Sequence, residues 1–156
     1  MRLTVCLEEQ VAGLLEASGS RTRFTYSDPW LSATDAYPLS QSLPLRPGPH
    51  TGAPLVNFLW GLLPDNERTL DAWSRQFQVS ARNPVALLAR VGEDCAGAVQ
   101  FIREERLDEV LTTGKAPAQV DWLDDADLER RIHHLTQDAG ATRESEIGER
   151  RVGKEC

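Results

Sequence analysis

Few residues in this chain have both the type and the spacing that chemistry requires. Gly92 and Gly97 bracket four residues, as the glycines of a phosphate-binding loop do, but Ala98 and Val99 stand where such a loop needs a Lys and a Ser or Thr. Without that lysine the segment reads as a helix stop followed by a strand start. His133 and His134 are adjacent, so on a helix they diverge by about 100° and cannot easily share a metal. His50 lies far away in a loop. Asp65 and Glu67, and likewise Asp124, Asp125 and Asp127, stand where helices begin, and capping with first-turn dipole effects accounts for them. Cys95 has Asp94 and small residues beside it, with no neighbouring base to make a thiolate, so it reads as a buried structural thiol. The four tryptophans, Trp30, Trp60, Trp73 and Trp122, have no basic neighbours of the kind a nucleic-acid stacking platform uses. They read as core or interface anchors.

The elements that would position these side chains are easier to read. At 156 residues and 40 % hydrophobic content, the chain has material for one domain with a real core. Its formal charge of −7 argues against direct binding to nucleic acid. That charge is uneven: residues 1–103 hold 9 Lys/Arg against 10 Asp/Glu, whereas 104–156 hold 8 against 14. No apolar run reaches the roughly 20 residues that span a bilayer, and no signal-peptide pattern opens the sequence. Three scattered cysteines without a C-x-x-C pair fit a reduced, cytoplasmic setting.

The densest apolar run is Ala53 to Asp65, APLVNFLWGLLPD. Leu55, Phe58, Leu59 and Leu62 share one helical stripe, Pro54 suits a first turn, and Pro64 closes the helix. Asp65 is the expected N-cap of a second helix over about 66–77, with Leu70, Trp73 and Phe77 on one face. Asn83-Pro84 opens a third, with Leu87, Leu88 and Val91 inward and Gly92 suited to its C′ position. Before these helices, Leu3, Val5 and Leu7 alternate with polar residues, Val11 to Leu15 returns, and Thr22 to Tyr26 makes a third strand. Asp28-Pro29 breaks that pattern and Trp30-Leu31 folds back as an apolar plug. Pro38 to Leu45 reads as a short extended or edge segment and Arg46 to Thr51 as a loop. Ala96 to Ile102 resumes a strand, 103–119 is charged and weakly periodic with a linker at Thr113 to Pro117, and Asp124 to Asp138 is a helix with a Leu128, Ile132, Leu135 stripe. The predicted fold is α+β: a small antiparallel sheet packed with three short helices, a returning strand, then a separate C-terminal helix.

Three motifs in this order, PLSQSLPL at 38–45, FLWGLLPD at 58–65 and VGEDCAGAV at 91–99, resemble the N-terminal subdomain of HipA-family serine/threonine kinases, the toxins of a bacterial type II toxin–antitoxin system linked to growth arrest and persistence. The resemblance covers about residues 2–103. It departs at Leu59-Trp60-Gly61, where the family often carries a polar Asp-Asn pair. It implies three parts: a HipA N-terminal-like domain over 1–103, a linker and helix over 104–138 leading toward a kinase core, and an unstructured, non-native tail over 139–156. A chain stopping there is expected to be truncated, with no catalytic, cofactor-binding or metal residue of its own. ATP and Mg would belong to the missing core, and the isolated chain is expected to be inactive as a kinase.

The resemblance further implies a regulatory and interaction role, with a HipB-like DNA-binding antitoxin, a HipA-type kinase core, or both as partners, and no membrane. Trp60, Leu63 and Trp73 are the expected interface, because their helices carry more apolar surface than one small sheet covers. The alternative is a stand-alone antitoxin-like protein that restrains a separate short HipA-type kinase.

Overall fold

The computed structural model describes residues 1–8, 10–19, 21–94, 98–113 and 124–137. Five antiparallel strands form one sheet in the order β4-β3-β2-β1-β5. They are β1 (Arg2–Leu7), β2 (Gln10–Ser18), β3 (Arg21–Tyr26), β4 (Pro49–Thr51) and β5 (Val99–Arg103). The helices are α1 (Asp28–Ser32), α2 (Ala53–Gly61), α3 (Glu67–Phe77), α4 (Pro84–Val91), α5 (Leu107–Thr113) and α6 (Asp125–Gln137).

Period-two alternation decides which side of the sheet faces the helices. Leu3 lies opposite Leu15 and Arg103, Val5 opposite Gly13 and Phe101, and Leu15 opposite Phe24. Leu3, Val5, Leu15, Phe24 and Phe101 of this set are buried and join Leu55, Leu59, Leu63, Trp73, Leu87, Leu88 and Val91 in one core. The register shifts between Val5 and Cys6, and Glu8 closes the first hairpin at φ 47, a turn conformation reached without an Asn-Gly pair. Gly13 is required by space. A Cβ there would stand 2.3 Å from the Thr25 carbonyl oxygen and 2.8 Å from the Phe24 ring.

Side-chain caps fix the helix starts. Ser27 Oγ accepts from the Trp30 N–H, so Asp28-Pro29 opens α1 rather than merely ending a strand, and Trp30 is buried as the expected plug. Asn66, not Asp65, caps α3, accepting from the Arg68 N–H at 2.9 Å. Asn83 Oδ1 accepts from the Ala86 N–H at 3.1 Å and Pro84 takes the first turn of α4. Asp124 Oδ1 accepts from the Asp127 N–H at 2.7 Å at the start of α6.

Several expectations change. The segment expected as a loop over 46–51 ends in β4, which pairs with β3 through Phe24 opposite His50 and becomes a sheet edge. Pro38 to Leu45 is not a strand; it is an irregular span closed by one bridge, Ser40 to Leu43. Gly92 is the C-cap of α4, one position earlier than the expected C′, and at φ −75 it leads into a 3₁₀ turn, Gly92–Asp94. Glycine is needed there because a Cβ would lie 2.7 Å from Phe101 Cβ. The charged stretch after β5 is ordered as a 3₁₀ turn, Glu104–Arg106, followed by α5. Cys95, Gly97, the linker at 114–117, Trp122 and the tail at 139–156 lie outside the described residues.

Candidate interaction surface

The sequence-predicted interface residues surround the α2–α3 corner, and the fold treats them differently. Leu63 is 6 % exposed and Trp73 9 %, both members of the core. Trp60 is partly buried and packs on that core from outside, together with Phe58, Leu62, Leu70 and Phe77. Of the three, Trp60 alone keeps appreciable exposed surface, while Leu63 and Trp73 are part of the core.

A second cluster escaped sequence reasoning. Tyr26 is buried on β3, where its Oη donates to the Leu43 carbonyl at 2.6 Å and accepts the Leu39 N–H at 2.9 Å. These two bonds clamp the PLSQSLPL segment onto the sheet and press Leu43 into the core. His50 is 3 % exposed and lies edge-on to the Tyr26 ring, 5.5 Å between centroids. Its Nε2 has no hydrogen-bond partner. Burial holds its pKa below the usual imidazole range, with the Arg46 charge adding to the effect. Burial likewise raises the Tyr26 phenol. The only signal in the sequence was alternation across 24–26, which marked Tyr26 as inward-facing but not its hydrogen bonds.

Other titratable groups are spread over the fold. Cys6 is fully buried on the sheet face away from Val5 and Phe101, level with Gln100, and burial pushes its thiol up to about 11, which disfavours the nucleophilic thiolate. On the same face Glu16 bridges Arg23 at 2.7 Å and Arg2 at 3.2 Å, and the Arg23 hydrogen bond lowers its pKa. Arg106 pairs with Glu93 at 3.2 Å, tying the start of α5 back to the turn after α4. His133 and Ile132 occupy exposed positions on α6. Among the described residues no three His, Cys, Asp or Glu side chains group as a metal site. The turn at Gly92 packs on Phe101, whose Cβ lies 2.7 Å from where a Gly92 Cβ would stand.

Sheet, helix cluster and clamped segment define a small α+β module. The chain belongs to the HipA N-terminal domain family, whose profile matches residues 3–102. It is 38 % identical over 113 residues to a Sinorhizobium fredii (strain NBRC 101917 / NGR234) protein named as a candidate kinase, Y4mE, an alignment covering 72 % of this chain and 26 % of that one. It is also similar in structure to a chain of the complex of HipA, HipB and operator DNA from the Shewanella oneidensis MR-1 toxin–antitoxin system. That match has a TM-score of 0.61 and 25 % identity, covering 84 % of this chain and 29 % of the other. The chain thus spans between a quarter and a third of the length of these relatives. Among the described residues no helix is long and apolar enough to cross a membrane.

Proposed function

We propose that this chain is the N-terminal regulatory and interaction domain of a HipA-type toxin–antitoxin kinase, acting by contact with a kinase core and, through it or directly, with a HipB-like antitoxin. The observation that carries this reading is the family match over 3–102, the residues that build the common core. Its partners follow from the Shewanella assembly, in which HipA occurs with HipB and operator DNA. ATP and Mg would be held by the kinase core, and phosphoryl transfer is not assigned to this chain.

Two places offer contact. Trp60 keeps part of its ring uncovered at the α2–α3 corner, where a partner could cover it. Residues 104–138 form the second part of the reading, a connection toward the core, in which α6 presents Leu128 and Ile132, 48 % and 54 % exposed. A 13-residue amphipathic helix gains most of its stability from covering such a stripe.

Size-exclusion chromatography of the chain mixed with a HipA-type kinase core lacking its own N-terminal domain tests the proposal. Co-elution that Trp60→Ala weakens is the expected result. Separate elution at micromolar concentrations of both proteins overturns it.

A further inference from the structure

The most informative unassigned feature is a groove of about 740 Å³ between the end of β5 and α4. Val79, Ala86 and Ala89 give it an apolar lining, while Arg2, Arg90 and Arg103 bring three guanidinium groups to it, that of Arg2 already paired with Glu16. Arg103 is the last residue of β5 and lies opposite Leu3, so its side chain leaves the sheet on the core face. Its Nε is shut off from solvent and has no hydrogen-bond partner. Glu104 and Glu105 line the same groove, yet neither takes part in an ion pair among the described residues.

A partly desolvated guanidinium without an acceptor is an unmatched charge, and buried polar groups of this kind ordinarily have a partner. The group that matches this charge is a planar acceptor that can take two parallel N–H bonds from the two terminal guanidinium nitrogens, Nε being out of reach, that is, a carboxylate. A doubly charged phosphate suits the site less well, because Glu104 and Glu105 would repel it. The lining adds a second requirement, an aliphatic body beside the carboxylate to cover Val79 and Ala89.

We infer that this groove binds one acidic side chain, flanked by aliphatic residues, from a partner polypeptide, with Arg103 holding the carboxylate and Arg90 steering it. Charge complementarity selects the class: Arg90 and Arg103, which make no ion pair among the described residues, stand beside an apolar surface.

The probe is an N-acetylated, C-amidated Ala-Leu-Glu-Leu-Ala peptide, titrated into the full chain while the Val79 and Ala89 methyl shifts are followed by NMR. Saturable shifts are expected, with about tenfold weaker binding when the peptide Glu is replaced by Gln, as loss of one charge-assisted pair requires. Arg103→Gln should cause the same loss. Arg90→Gln, at an exposed position that threatens no packing, should weaken binding less and reduce its salt dependence. Equal binding of the Gln peptide, or stronger methyl shifts with inorganic phosphate than with the Glu peptide, overturns the inference. So does the absence of any shift in a protein that melts cooperatively.

Discussion

Helices α3 and α6 look alike in sequence and end in opposite situations. Each starts at a capping Asn or Asp, carries acid in its first turn, and shows an apolar stripe: Leu70, Trp73, Phe77 in one, Leu128, Ile132, Leu135 in the other. On α3 the stripe has cover, with Trp73 buried in the core and Leu70 and Phe77 packed against it. On α6 Leu128 and Ile132 remain about half exposed. Amphipathicity states that a helix has a face to bury; it does not state where the covering surface is. For α3 that surface is within residues 3–102, and for α6 the proposed function places it on a kinase core.

The sharpest way to break this contrast is to charge both sides. Leu59→Asp places an unpaired carboxylate where 1 % of the side chain is exposed, and should cost several kcal/mol, enough to unfold a domain of ordinary stability. A cooperative thermal melt of the variant would show that the stripe of α2 is not core. Gly13→Ala comes next. Its Cβ meets the Thr25 carbonyl and the Phe24 ring, both fixed, and about 1–3 kcal/mol of destabilisation is expected in chemical denaturation.

How far the sequence foretold this contrast differs by element. Strands β1 to β3 and helices α2 to α4 were legible because alternation, stripes and caps are local signals, and all point the same way there. Strand β4 was not, since Pro49, His50 and Thr51 show no alternation and pair only because β3 offers an edge. The role of Gly92 was legible only in part for a similar reason: a glycine after a helix usually marks its C′ position, but here Phe101, nine residues later, leaves no room for a Cβ. The Tyr26 clamp depends on carbonyl and N–H groups of residues 39 and 43, which side-chain patterns do not report. Of the expected interface, the corner was legible, but how much of each side chain is covered depends on packing from the sheet and α4.

His50 gives an intermediate effect. Its folded pKa is depressed below the unfolded 6.5, so the unfolded chain takes up the proton first as pH falls. The stability this group contributes is therefore fully present above about pH 6.5 and is lost progressively as pH drops toward the folded value. The slope is at most about 1.4 kcal/mol per pH unit. Denaturation midpoints measured from pH 7.5 down to 5 should fall in the native protein and flatten in His50→Gln. The smallest effect belongs to α6: Leu128→Asp should change the melting of the isolated chain by no more than about 0.5 kcal/mol. Calorimetric titration with Mg-ATP should show no micromolar binding, since the described residues supply no phosphate loop with a lysine.

The most direct measurement is amide hydrogen exchange of the chain alone and with a HipA-type kinase core. Slow exchange in β1, β2 and α4 under both conditions, with residues 125–137 exchanging fast alone and slowly in the mixture, is the predicted result. Equal protection of α6 with and without the core, with no slowing around Trp60, would contradict the account.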